Sequence, residues 1–281
     1  MIIEKRFIFY ILSSLLVLFG ILSFLNLKPE DYGIDLRGGQ ILEVRTNANV
    51  KEIIEKLKIK GEVFEEEKGV FLIKGFSGLD KVWGEIKSKD NLAERIRFEE
   101  ISPSLSSELK RKGLTAVILV ILAIAFYVSF SFRKIKTLIH SSILGLVVIL
   151  TLFHDVIASV GPYILLVKKF GFSLDIKFIT ALLLVAGYSV SDTIVIFDRL
   201  RENILRFGKK DKEVFVKSIK EVYTRSIYTS LSTVLAILPL SLMVKTLTPF
   251  LLAIQVGIII GTYSSICLAA PLVYDMSRRK S

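Results

Sequence analysis

The chain has 281 residues, 52% of them hydrophobic and 23% charged, with a formal net charge of +11 and one cysteine. Its mean hydropathy of +0.58 is too high for an ordinary soluble domain, and its charge content is too high for a bare bundle of spans. A membrane part carrying a polar part satisfies both, and the lone Cys267 excludes an intrachain disulfide.

Six runs approach the roughly 20 apolar residues needed to cross a hydrocarbon layer about 30 Å thick. They are Phe7 to Leu27, Leu114 to Phe132, Leu138 to Val160, Phe178 to Phe197, Tyr228 to Val244 and Phe250 to Val273. The first follows "EKR" and lacks a small-residue cleavage site, so a retained anchor is expected rather than a signal peptide. The expected units are residues 1–27, the first span; 28–113, a polar domain; and 114–281, spans two to six with a cytoplasmic loop over 198–227.

Residues 28–113 hold 17 basic and 17 acidic side chains, so the whole excess, 21 basic against 10 acidic, belongs to the membrane part. Basic residues flanking spans fix topology, and no nucleic-acid partner is expected. With the N-terminus inside, 17 Lys and Arg fall on the inner side, among them Lys5, Arg6, Arg133, Lys134, Lys136, Arg278, Arg279 and Lys280. Only Lys168, Lys169, Lys177 and Lys245 fall in short outer loops. Both termini are therefore expected in the cytoplasm, with 28–113 extracytoplasmic.

Within the polar domain, "YGIDLRGGQILEVRT" alternates Leu42 and Val44 with Glu43 and Arg45, as a strand does. "NANVKEIIEKLKIKG" follows with Asn49 as a cap, Ile53, Ile54 and Leu57 on one helical face, and Gly61 as a stop. A hairpin turning at Lys68-Gly69, a short helix in "LDKVWGEIKSK" and a strand in "ERIRFEEI" complete the order β-α-β-β-α-β. The fold expected is an all-α six-helix transmembrane bundle with an extracytoplasmic α+β, ferredoxin-like βαββαβ domain inserted between helices 1 and 2. Gly33, Asp35, Gly38 and Gly39 of "GIDLRGG" read as a structural turn; no Lys-Ser/Thr follows, so it is not a phosphate loop. No metal-ligand cluster or catalytic triad stands out, so neither an enzyme nor a cofactor is expected.

Ionisable groups inside a bilayer cost about 2.5 to 3.5 kcal/mol each on insertion scales, so each is a functional candidate. Asp192 interrupts "LLLVAGYSVSDTIVIFDRLREN", with Tyr188 and Ser191 nearby and Gly187 expected to let a neighbouring helix approach. His154-Asp155 lies on a second polar face with Thr151 and Ser159; Asp155 is a candidate for the charged path, or a hydrated residue near the outer interface, and His154 reads as a packing residue or a relay. The fifth span opens with Arg225 and carries Thr229 and Thr233 at helical spacing, so Arg225 is the candidate countercharge for Asp192, or a topological anchor. At about 1.5 Å per residue, Asp192 is about 8 Å from the inner end of its span and Asp155 about 25 Å in, so separate stations are expected rather than a dyad. Asp198 and Arg199 read as a helix-end pair, and Phe215, Ile219 and Val222 as the apolar side of a surface helix or a solvated connector.

Together, "GYSVSDTIVIFDRLREN", "FHDVIASVG", "TRSIYTSLSTVLAILPL" and "GIDLRGG" resemble the SecF family of the SecD/SecF protein-export complex over nearly the whole chain. Leu36 stands where that family usually has phenylalanine, and serines replace glycines in "ISPSLSSEL". The resemblance implies a resistance-nodulation-division type of membrane fold in a prokaryotic inner membrane. It also implies a SecD-like partner, the SecYEG channel, a translocating preprotein, and use of the proton motive force through Asp192 and Arg225, with Asp155 a further motif residue. A lipid or small-solute transporter of the same fold and a non-transporting clamp of the translocon remain alternatives, and H⁺ and Na⁺ are both open as the driving ion.

Overall fold

The structure is a computed structural model that describes residues 2–132 and 139–278. Arg133, Lys134, Lys136, Arg279 and Lys280 of the charge pattern lie outside the described residues.

Helix α1 (Arg6–Leu25) leads through a 3-10 turn (Pro29–Asp31) and the single-turn α2 (Ile34–Arg37) into the sheet domain. There β1 (Gly39–Arg45), α3 (Val50–Lys56), β2 (Gly61–Glu67), β3 (Val70–Gly75), α4 (Leu79–Lys89) and β4 (Glu94–Ile101) follow in order. The sheet runs β2-β3-β1-β4 with all neighbours antiparallel, the ferredoxin-like arrangement of two interlocked split βαβ units. Sequence alternation puts Leu42, Val44 and Ile73 on the covered face, against Val50, Ile53, Leu79, Val82 and Ile86 of the helices, all essentially inaccessible. Burying each such side chain contributes about 1.5 to 3 kcal/mol. Asn49 caps α3 by accepting from the Glu52 amide at 3.3 Å, as its sequence position predicts. The edge strand β4 keeps Glu94, Arg95 and Arg97 exposed, which discourages pairing with another sheet.

The membrane part consists of α5 (Pro103–Phe132), α6 (Ser141–Phe170), α7 (Ile176–Phe207), α8 (Lys212–Met243), α9 (Thr248–Ser264) and α10 (Ala270–Arg278). A π-helical stretch, Ser265–Ala269, joins the last two into one span, giving six candidate spans among the described residues. α6, α7 and α9 form the buried centre, while α1, α5 and α8 keep outward residues such as Leu15, Leu122 and Leu235 exposed, as helices at the rim of a bundle do. Close approaches occur where glycine removes a side chain. A Cβ on Gly20 of α1 would strike the Ile157 carbonyl of α6, and one on Gly257 of α9 would strike Val185 of α7.

Three boundaries differ from expectation. α5 starts at Pro103, so residues 103–113 belong to the second span's helix rather than to the sheet domain. α7 continues to Phe207 before Gly208 ends it in the left-handed conformation (φ +67°), and α8 begins at Lys212 capped by Asp211. Segment 198–227 is thus two helix ends joined by a tight turn. Phe215, Ile219 and Val222 pack with Leu200 and Ile204 in the core, not on a membrane surface. Nor do Asp198 and Arg199 pair at a helix end: Asp198 meets Arg201, and Arg199 meets Glu202 and Glu221. Ion pairs at helical spacing allow a charged segment to remain helical beyond the apolar run.

Candidate functional site

Two carboxylates lie inside the bundle in different surroundings. Asp155, at the middle of α6, is wholly buried. One of its oxygens meets His154 Nδ1 at 2.8 Å, and the other accepts from the Ser189 hydroxyl of α7 in a short hydrogen bond. Ser189 is held in turn because its carbonyl accepts from Thr193 Oγ1 (3.1 Å) and from Ser265 Oγ of the π-helical stretch (3.2 Å), whose hydroxyls are 2.8 Å apart. An aspartate engaged on both oxygens, one of them by a serine whose own carbonyl is tied to the last span, is a fixed polar joint between α6, α7 and that span.

Asp192 is one turn further along α7 and 9% exposed. The Ser226 hydroxyl of α8 and the Thr262 hydroxyl of α9 flank its carboxyl, and Arg225 acts on it through space. No direct ion pair joins Asp192 to Arg225. Oδ2 of Asp192 and Oγ of Ser226 are both buried without a well-formed hydrogen bond. From here a hydroxyl chain continues: Ser230 and Thr262 are 2.5 Å apart, and Tyr188 donates to Ser230 at 3.2 Å. Past Asp192, towards the α7–α8 turn, a cavity of about 470 Å³ is lined by Ile194, Asp198, Arg199, Glu221 and Arg225. Arg225 is exposed to it. Asp192 thus has a spare acceptor within Coulomb reach of Arg225, whereas both Asp155 oxygens are engaged.

The depth expected for Asp155 is corrected here. Ser189, its partner, precedes Asp192 by three residues, so the two carboxylates differ in height by only about 4.5 Å. α6 and α7 run beyond their apolar stretches, which moves both aspartates to mid-helix; Asp155 is no interfacial residue. They remain separate, sharing no hydrogen bond.

Of the flanking residues expected, His154 is buried beside Asp155 with Nε2 unpartnered. Gly187 is exposed and a Cβ there would meet nothing, so the close approach assigned to it is made instead by Gly257 and Gly261 of α9, the latter against Ser189. Ser191 is exposed. Thr229 and Thr233 donate to carbonyls of their own helix, Arg225 with Ser226 and Thr229 respectively, and do not reach Asp192. In the turn, Gly38 takes φ +93°, a conformation suited to glycine, and Gly39 lies so close to Ile34 and the Gly75 carbonyl that a Cβ would collide. Gly33 caps α2, Asp35 lies in its first turn, and Leu36 inserts among Tyr163, Ile164, Val167 and Phe178.

Comparison with known proteins accords with this architecture. The family described as "Protein export membrane protein SecD/SecF, C-terminal" matches residues 82–279. The protein translocase subunit SecF of Sebaldella termitidis is 34% identical over 295 residues, covering 99% of this chain and 92% of its own. The chain belongs to the SecF family of protein translocase subunits. SecF of Thermodesulfovibrio yellowstonii is likewise 34% identical, over 96% of this chain and 92% of its own. The crystal structure of SecDF from Thermus thermophilus, a translocon-associated membrane protein, matches with a TM-score of 0.77 at 29% identity. That match covers 99% of this chain and 38% of the longer SecDF chain. As a SecF-family chain with six apolar spans, this is a multi-pass inner-membrane protein of Sec-dependent export.

The residues missed in the sequence are on the last span: Thr262, Ser265, Gly257 and Gly261. The small-residue spacing of "VGIIIGTYSS", with glycines four apart, is the signal that marks a helix-packing face there.

Proposed function

We propose that this chain is the SecF-type half of an export auxiliary that works with a SecD-like partner beside the SecYEG channel and draws preproteins outward at the expense of the proton motive force. It acts in transport and carries out no enzymic step. The observation that carries this reading is Asp192: a carboxylate inside the bundle, one oxygen idle, flanked by hydroxyls from two further helices, with Arg225 of the neighbouring cavity within Coulomb reach but not in contact. Low dielectric disfavours the charged carboxylate and a nearby guanidinium favours it, so small movements of α8 that carry Arg225 towards or away from Asp192 exchange proton release for proton uptake. Asp155 acts as the joint that transmits the change in α7 to α6 and the last span. In this reading both termini lie in the cytoplasm and the sheet domain, seated on α6 and α7, lies outside, where helix movement displaces it.

The test is preprotein translocation in proteoliposomes containing this chain, its SecD-like partner and SecYEG, under imposed H⁺ or Na⁺ gradients. Asp192→Asn is expected to abolish the gradient-dependent part while leaving assembly intact. Undiminished gradient-driven export by that variant would sink the proposal, and loss of assembly with unchanged activity per complex would favour a purely structural clamp. Stimulation by Na⁺ alone would replace the proton as the driving ion.

A further inference from the structure

A second cluster of acids lies where the sheet domain is seated, at the start of α7 and about five helical turns from Asp192. The chain entering the domain pairs with the α6–α7 turn: the Gly33 amide donates to the Leu174 carbonyl and the Leu174 amide to the Asp31 carbonyl, both at 2.8 Å. A Cβ on Gly33 would come within 3.0 Å of Ser173 Oγ and 3.1 Å of Asp175 Cβ, so the approach is close. From the sheet, Glu62 at the start of β2 reaches the same turn. The Ser173 hydroxyl and amide lie near enough to favour its charged form, yet its Oε1 is buried without a partner. Asp175, 8% exposed, caps α7 by accepting from the Lys177 amide at 3.0 Å. Beneath them Tyr163, 1% exposed, stacks on Phe178 with ring centroids 4.3 Å apart and leaves its hydroxyl unpartnered within Coulomb reach of both carboxylates. A cavity of about 310 Å³ opens beside Glu62, bordered by Lys60, Lys74, Phe76 and Phe172.

An unpartnered carboxylate oxygen of half-buried Glu62 and an unpartnered hydroxyl of buried Tyr163, next to the buried carboxylate of Asp175, call for a ligand. Lys74 faces both acids, Lys177 faces Asp175, and Asp35 approaches Asp175 from α2. Neither acid makes a direct ion pair with these lysines. A metal cation would meet the Lys74 charge, whereas a proton removes charge and supplies the donor that the idle oxygens lack. We propose that Glu62 and Asp175 form a proton-binding site that holds the sheet domain on the α6–α7 turn.

The electrostatics run the same way. Burial pushes both carboxyls above the usual carboxylate range, and each site has a further acid nearby; Lys74 opposes the shift at both. Undocking hydrates the two acids and returns them to ordinary values. The docked state therefore binds protons more tightly, so docking is strongest below the ordinary carboxylate range and weakens as pH rises through the raised values. With one proton linked, the docking constant falls by up to about tenfold per pH unit in that window. This site stands apart from the transmembrane acids and does not depend on their use.

Hydrogen exchange of the full-length chain in lipid nanodiscs, corrected for the intrinsic rate at each pH, reads the docking amides of Gly33 and Leu174 directly. Their protection is expected to fall as pH rises through the range above ordinary carboxylate values, which lie at about 4. Glu62→Gln and Asp175→Asn, which keep the hydrogen-bonding shape and the helix cap, should hold it through that range. Lys74→Met should move the fall to higher pH, a shift that a mere packing role would not produce. Asp192→Asn should leave it in place. Protection that is independent of pH in the wild type, a fall in Glu62→Gln coincident with wild type, or a fall that moves with Asp192→Asn would each overturn the proposal.

Discussion

The contrast between Asp155 and Asp192 is one of satisfied against idle oxygens. Removing the Ser189 hydroxyl strands a buried Asp155 oxygen, and leaving such a group unpaired costs about 1 to 3 kcal/mol, more for a charge. Ser189→Ala is therefore expected to lower the apparent Tm of the detergent-solubilised protein clearly. Asp192→Asn, which removes a charge whose Oδ2 has no bond to lose, should leave Tm unchanged or raised. Equal destabilisation by the two variants would mean that Asp192 is a structural pin. Asp155, Asp192 and Arg225 were legible in the sequence because an ionisable group in an apolar run is costly enough to need a reason. Thr262 and Ser265 were not, because a hydroxyl on a membrane helix can be satisfied by its own backbone, as Thr262 is by the Ile258 carbonyl at 2.8 Å. Their role follows only from the packing that brings α9 and the π-helical stretch against α7.

At the scale of elements, the six spans and the order of the βαββαβ domain follow directly from periodicity and capping, and Asn49 sits at the cap its side chain implies. The ends of α5 and α7 do not, since apolar runs report the lipid-facing stretch, while ion pairs such as Arg199 with Glu221 carry the helix on into water. Gly187 shows a related limit: glycine in a span signals a possible close approach, but only the rotational setting of α7 decides whether a neighbour is there. This gives a paired test. Gly261→Val places branched carbons against Ser189 at the α7–α9 contact and is expected to cost about 1 to 3 kcal/mol by overpacking. Gly187→Ala points into open space and should fall within about 0.5 kcal/mol of wild type or gain slightly from helix propensity. Chemical denaturation or thermal inactivation in the same detergent compares them, and a reversed order would show that the two helices meet through different faces.

At the scale of the molecule, the sheet domain and the Asp192 cavity lie towards opposite ends of the bundle: the domain sits on the α6–α7 turn and the cavity near the α7–α8 turn. If the chain uses the proton motive force as proposed, that polarity would let one set of helices sense a proton from one side and act on the other, provided the chain is inserted in a single orientation. Basic residues at the cavity end, Arg199, Arg201, Arg206, Lys209 and Lys210 among them, favour retention of that end in the cytoplasm. Leu92, 86% exposed on the sheet domain, provides the readout. In intact cells or right-side-out vesicles, Leu92→Cys is expected to react with a membrane-impermeant maleimide, whereas Lys209→Cys should react only after the membrane is opened; native Cys267, half-buried within the last span, serves as the background control. Reaction of Lys209→Cys without permeabilisation would invert the molecule and place the Asp192 cavity on the outer side. The seat at Glu62 and Asp175 would then face the cytoplasm, where no acidic exterior could load it.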